Sequence, residues 1–205
     1  AYFRSALAVC IEICPSCRAS ASSKQINLGG LLWHGKDGFS RGAFEHLSFA
    51  SKEELAKYTK EFIGFKLRDE EFKSLLEEYD KVCHLRHGIV HGDGLLPGRN
   101  AVTLDIPRYD RSVRIIVRFE QLQSAAAVVG NLVSVLNREL FNLLIRRWAI
   151  DWRQRADWLP AEEEAGFKKI WGGFRSIVES GADPNVNSRD ARKCMKVAKI
   201  LYDVN

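Results

Sequence analysis

The sequence has few of the features that mark membrane, secreted or disulfide-stabilised proteins. Its longest run without a charged residue, from Gln121 to Asn137, contains glutamine, serine, asparagine and glycine, so amphipathic spacing explains it better than a membrane span. Glu12 interrupts the apolar N-terminal stretch, which argues against a signal peptide. Five cysteines are an odd number in a chain long enough to fold without disulfides. We therefore expect a cytoplasmic protein with no membrane partner.

Nothing in the composition argues for disorder, and no internal repeat or low-complexity tract is present. Hydrophobic residues make up 46% and charged residues 28% of the 205-residue chain, which is ordinary for a globular protein. This length accommodates one domain, or one domain with an appendage, around a sizeable core. The formal net charge of +5 permits nucleic-acid binding without requiring it.

Hydrophobic periodicity predicts a largely helical chain. Ser51 and Glu54 are spaced as a capping box, which should start a helix reaching about Phe62. Leu159-Pro160 breaks the chain before two C-terminal helices. The predicted helices cover about 2–13, 51–62, 69–91, 120–152, 161–180 and 189–202.

One part of the chain has the composition of β-strands. The segments 100–107 and 112–119 are rich in β-branched residues and are separated by a short polar link. We predict a two-stranded hairpin over about 100–119. Since an isolated hairpin is marginal in water, it should lie against the helices.

The predicted helix over 69–91 contains an irregularity in its apolar stripe. The stripe reaches Arg86 where the pattern requires an apolar residue, and an arginine there costs stability unless something pairs with it. His87 and His91 follow at once, and Gly92 is placed as the left-handed residue past the helix end. The stripe consists of Phe72, Leu75, Leu76, Tyr79, Val82 and Cys83, and after Arg86 it continues to Ile89 and Val90.

The segment Arg86-His87-Gly88-Ile89-Val90-His91 resembles the Arg-x4–6-His signature of the HEPN superfamily, in which the residue after the arginine is commonly Asn, Asp or His. As in that family, the motif ends a long amphipathic helix and is followed by a loop and another long helix. The resemblance covers roughly the first three quarters of the chain. It implies an all-α fold, with a HEPN-like helical bundle over 1–158, the hairpin as an insertion, and a C-terminal helical appendage over 159–205.

The resemblance also implies a function, that of a metal-independent endoribonuclease without a cofactor. Such an enzyme cleaves RNA by attack of a ribose 2′-OH and leaves a 2′,3′-cyclic phosphate. Arg86 would stabilise charge on the attacked phosphate, His91 would transfer the proton, and His87 would orient one of them or contact the phosphate. In HEPN families this activity commonly serves toxin–antitoxin, abortive-infection or other anti-phage systems, so an antitoxin or defence-system protein is an expected partner.

Helix geometry limits how the motif can act. Five helical steps separate Arg86 from His91 by about 140° around an ideal helix and about 7.5 Å along it. Either the helix frays at Gly88, or two chains assemble the site. HEPN ribonucleases generally build a composite cleft at a dimer interface, so a homodimer is part of this prediction.

Two alternative interpretations of this helix stay open. In the first, Arg86 pairs with an acidic neighbour and His91 only caps the helix C-terminus, in a non-catalytic helical module that binds RNA or a partner protein. In the second, Asp80, His84, His87 and His91 present metal ligands on one face. A single helix rarely encloses a metal, and no glutamate follows in the His-Glu-x-x-His manner, so we predict no metal site.

Two further segments contain residues typical of functional sites. Cys14-Pro15-Ser16-Cys17 matches the C-x-x-C redox pattern but lacks a βαβ context, so with Cys10 it is better explained as core or interface packing. The segment 146–158 alternates arginine with tryptophan, a mixture that can hold phosphates and stack bases. The alternative is that its tryptophans pack the C-terminal helices. The predicted RNA-binding residues are Arg146, Arg147, Trp148, Trp152 and Arg153.

Overall fold

The computed structural model describes residues 1–25, 28–34, 42–66, 70–108, 111–176 and 190–204, and these ranges form an all-α structure, as predicted. A π-helical turn at Thr59–Ile63 extends the helix Lys52–Tyr58, and a second one at Arg147–Asp151 extends the helix Phe119–Arg146. Short 3₁₀ turns follow at Trp152–Gln154 and Pro160–Glu162. The α-helices of the described ranges are α1 (Tyr2–Ile13), α2 (Pro15–Ala21), α3 (Leu28–His34), α4 (Lys52–Tyr58), α5 (Glu70–His91), α6 (Gly98–Thr103), α7 (Phe119–Arg146), α8 (Glu163–Phe174) and α9 (Ala191–Leu201).

The local signals for helices are confirmed. The first helix has the predicted bounds, and the Ser51 side chain caps α4 by accepting a hydrogen bond from the Glu54 backbone N–H at 3.2 Å. The Glu54 carboxylate reaches back and accepts from the Ala50 N–H. The predicted helix starts at 69 and 189 and the predicted helix end at 180 lie outside the described residues.

The predicted hairpin is not found in the described part of the chain, which contains no strand. The first four residues of its first segment lie in α6, and its second segment makes a single antiparallel bridge, between Leu95 and Arg114. A tertiary contact explains the difference, because the buried Asn100 side chain donates to the His84 backbone carbonyl at 3.1 Å from within α6. Tertiary contacts of this kind readily outweigh β-propensity, which spans only about 1 kcal/mol.

The chain divides into two compact units. The first comprises Ala1–His46, Phe62–Gly64 and Leu136–Asn205. Within it, α1 packs on α2 and α8, and α8 packs on α9. Asn137 joins three of its helices, since its side chain accepts from the Tyr2 hydroxyl at 3.0 Å and donates to the Phe174 carbonyl at 2.6 Å. Its fully buried side chains include Leu144, Trp148, Phe167 and Ile170.

The second unit comprises Leu47–Glu61 and Phe65–Val135. Here α5 packs against α4 and α6. Two polar contacts connect α5 to the segment that leads into α4: the Asp80 carboxylate accepts from the Lys52 N–H at 3.0 Å, and the Tyr79 hydroxyl donates to the Phe49 carbonyl. The predicted boundary at residue 158 comes from the family resemblance and not from the compactness of the units, and it stays a prediction.

The long helix α7 changes character along its length. Phe119 and Leu122 near its start are 72% and 58% exposed, whereas Leu132, Leu136 and Leu140 further along are buried. By length and composition alone, the helical segment Phe119–Gln154 could cross a membrane, a criterion that the core helices of soluble proteins also meet.

Candidate functional site

The Arg-His motif occupies the last turns of α5, which stays helical through His91. Arg86, His87 and His91 are all exposed. The fraying considered at Gly88 is not observed, so in one copy of the chain Arg86 and His91 point away from each other by about 140°.

Arg86 lies near Cys83 and Tyr79, which are about one and two turns earlier on α5. Burial raises the pKa of the Tyr79 hydroxyl and of the Cys83 thiol, and the Arg86 charge offsets part of each increase. No hydrogen bond or salt bridge to Arg86 comes from any residue in the described ranges. Its guanidinium therefore presents donors to solvent, which is the arrangement that phosphate binding requires.

His87 and His91 form a pair on the other side of the helix. Their ring centroids are 4.9 Å apart with the planes inclined at 49°. The two residues are four positions apart, which places them one above the other on a helix. His87 thus contacts His91 rather than Arg86.

Glycines shape the end of the motif. A Cβ at Gly88 would lie 2.5 Å from Ile115 Cδ1 and 2.9 Å from the Leu95 carbonyl oxygen, so the glycine lets the segment after the helix fold back against it. The prediction of a left-handed Gly92 is wrong, because Asp93 and Gly94 adopt positive φ values of 51° and 78°. A glycine is needed at position 92 for space instead, since an added Cβ would lie 2.4 Å from the same Leu95 oxygen.

A cleft of about 560 Å³ opens beside the motif within the second unit. Its floor is α5, and its sides come from the start of α4 and from α6. At the floor, His84 Nε2 lies 3.4 Å from Asp80 Oδ2, and the Asp80 side chain is buried. His87 also lines this cleft, so it connects the cleft with the motif.

Sequence reasoning missed the Asp80–His84 pair, which it considered only as two of four metal ligands. The signal was present, because an aspartate and a histidine four positions apart on a helix can interact. Along this face Asp80 pairs with His84, and the His87 ring contacts the His91 ring at a tilted angle. Among the described residues no three His, Cys, Asp or Glu side chains are grouped so that they could hold a metal ion.

The residues predicted to bind RNA in 146–158 have different surroundings. Arg146 is exposed, but Trp148 is fully buried and Trp152 is 6% exposed. Trp148 Nε1 donates to the Glu163 carbonyl at 3.2 Å, and Arg153 forms an ion pair with the Glu163 carboxylate. The rings of Trp148 and Trp152 therefore contact protein rather than solvent.

The cysteines of the C-x-x-C segment are buried, and the half-buried Arg147 side chain lies against them. The Arg147 Nη1 atom lies 3.2 Å from Cys17 Sγ and 3.7 Å from Cys14 Sγ. A hydrogen bond with Cys17, together with burial, raises the pKa of Cys14, and a hydrogen bond with Cys10 raises the pKa of Cys17 to about 12. These thiols therefore stay protonated and unreactive near neutral pH, which favours their role in packing.

Comparison with known proteins adds no relative from which a role could be transferred. No family model matches the chain, and neither a curated protein nor a solved structure gives a significant match.

Proposed function

We propose that the protein is a metal-independent endoribonuclease of the HEPN type. Arg86 stabilises the charge on the attacked phosphate, His91 transfers the proton, and His87 holds the His91 ring. The observation that supports this proposal most directly is the exposed end of α5, where Arg86 has no salt-bridge partner among the described residues. By the same resemblance, we propose a role as a toxin or anti-phage defence effector.

A homodimer belongs to this proposal for a geometric reason. Because α5 is regular through His91, Arg86 and His91 of one copy diverge, and a second copy would supply the missing group. Ile89 and Val90, which lie between the two residues, are 43% and 53% exposed and offer apolar area for such a contact.

The proposal is tested by RNA cleavage in EDTA with wild type, Arg86→Ala and His91→Ala. We expect each substitution to reduce the rate about 10²–10⁴-fold, because it removes the phosphate donor or the proton-transfer group. His46→Ala is the matched control, since His46 is an exposed histidine outside the motif. Equal cleavage by wild type and both motif variants would contradict the assignment.

Mixing the two inactive variants tests the composite cleft separately. If Arg86 of one copy acts with His91 of the other, Arg86→Ala and His91→Ala chains should together regain part of the activity through mixed dimers. A mixture that stays inactive would argue against the shared cleft and leave the ribonuclease assignment standing.

The alternative function is a non-catalytic helical module that binds RNA or a partner protein. It is favoured by a cluster of exposed apolar residues in the second unit, which includes Ile116 at 69% and Phe119 at 72% exposure. Binding of RNA without cleavage in EDTA would identify this alternative.

A further inference from the structure

The cleft of the second unit is held open by contacts that involve no ligand. One side is tied to α5 by the hydrogen bond from the Lys52 N–H to Asp80, and the other by the hydrogen bond from the Asn100 side chain to the His84 carbonyl. Asp80 and Asn100 are each 7% exposed, so both hydrogen bonds are shielded from water. The cleft therefore needs no ordering step before a ligand binds.

His84 is a polar group on the floor of this cleft, next to Asp80. With Nε2 directed at the Asp80 carboxylate, its Nδ1 atom has no hydrogen-bond partner among the residues that the structure describes. His84 therefore has a ring nitrogen that a ligand in the cleft can contact.

The charges around the cleft favour an anionic ligand. Lys52 lies on one side and Arg99 on the other, with His84 and His87 between them. Asp80 does not oppose an anion strongly, because its Oδ1 atom accepts the Lys52 N–H and its Oδ2 atom faces His84. Glu53 also lines the cleft, and its exposed side chain can turn towards solvent when an anion is bound.

The distance between His84 in the cleft and His91 in the motif limits which part of a ligand the cleft can bind. Seven helical residues separate His84 from His91, a rise of about 10.5 Å, which is too far for both side chains to act on one phosphorus atom. His87 lies between them, since it lines the cleft and its ring contacts the His91 ring. The cleft is therefore suited to a neighbouring phosphate of the same strand.

We propose that this cleft is a phosphate-binding subsite for the RNA strand that the motif cleaves. Arg99 and Lys52 hold the phosphate from opposite sides, and His84 contacts it from the floor of the cleft. This inference rests on the proposed function, because the strand that reaches the cleft is the one bound at Arg86 and His91.

The test compares substrates that can and cannot reach the subsite. A dinucleoside monophosphate has only the scissile phosphate, whereas a hexanucleotide has neighbouring ones. In wild type, kcat/KM should be higher for the hexanucleotide than for the dinucleoside monophosphate. Arg99→Gln and Lys52→Gln should each lower the ratio of these two values about tenfold, chiefly by raising KM for the hexanucleotide. Arg138→Gln, an exposed arginine in the first unit, is the matched control and should keep the wild-type ratio. Lys52→Gln keeps the backbone N–H that holds Asp80.

A binding measurement keeps the subsite and the catalytic proposal distinguishable. A 2′-O-methyl hexanucleotide cannot be cleaved, so its Kd should rise about tenfold in Arg99→Gln and in His84→Gln even if no variant cleaves RNA. Its affinity should also depend less on salt in Arg99→Gln than in wild type. Equal Kd values for wild type, Arg99→Gln and Arg138→Gln, or no binding by any of them, would overturn the subsite. Cleavage by wild type together with equal Kd values would overturn the subsite alone.

Discussion

The end of α5 and the segment that follows α7 contain the same kinds of side chain in opposite surroundings. At the end of α5, Arg86 and both histidines are exposed, and Arg86 has no salt-bridge partner among the described residues. In 147–153, Trp148 is fully buried and Arg153 is paired with Glu163. Arginine and aromatic residues that are close in sequence can therefore contact a ligand only where their side chains are exposed.

The two regions differ because of what packs against each helix. The segment after α7 lies under α8, whose Phe167 ring stacks edge-on against Trp148 at 4.9 Å. At the end of α5, Gly88 admits the backbone near Leu95, while Arg86 and His91 stay exposed. The first region is therefore sensitive to loss of volume, and the second to added volume.

The largest expected effect is on the buried side. Trp148→Ala should lower the free energy of unfolding by about 3–5 kcal/mol, because it leaves a cavity in the core of the first unit. Denaturant unfolding measures this. Trp33→Ala is the matched control, since Trp33 is 86% exposed and its loss should change stability by less than about 0.5 kcal/mol. Similar losses for both variants would remove the contrast between buried and exposed tryptophans.

An intermediate effect is expected at the one tightly packed position of the motif. Gly88→Ala should destabilise the protein by about 1–3 kcal/mol, because the new methyl group would meet Ile115 and the Leu95 carbonyl. The same denaturant measurement applies. Gly130→Ala, in the interior of α7 with open space around it, should instead stabilise by about 0.5–1 kcal/mol. A neutral Gly88→Ala variant would show that the segment at Leu95 is not pressed against the helix.

The smallest effect concerns an exposed ion pair of the first unit. Hydrogen bonds from Lys168 and then Arg192 lower the pKa of Glu164 to about 2. Because this folded-state pKa lies below the ordinary value of 4.5, the ionised Glu164 carboxylate stabilises the folded protein above about pH 4.5. This stabilisation disappears as the pH falls towards 2. Glu164→Gln should therefore lower Tm slightly at pH 7 and not at pH 2.

The neighbouring glutamate provides the comparison for that measurement. Glu163→Gln should lower Tm more at pH 7, because its partners Arg153 and Lys199 are only 22% and 25% exposed. A larger change for Glu164→Gln than for Glu163→Gln would contradict the ranking of buried over exposed contacts.

Local signals predicted a large part of this structure. The capping box at Ser51 acts within four residues, and the bounds of α1 follow from the periodicity of its own side chains. The position of the motif at a helix end was predictable for the same reason. The hairpin prediction failed because the conformation of this segment depends on a distant residue: the Asn100 side chain holds α6 to the His84 carbonyl, sixteen positions away. The Asp80–His84 cleft was missed because its sides come from α4 and α6.

The sequence by itself determined the helical character of the chain and the order of Arg86, His87 and His91 at the end of α5, because helix periodicity and capping depend on residues a few positions apart. Only the tertiary structure decided which arginines and aromatic rings are exposed and which are packed. Burial depends on contacts between helices that are distant in sequence, and these contacts cover Trp148 while they leave Arg86 in solvent.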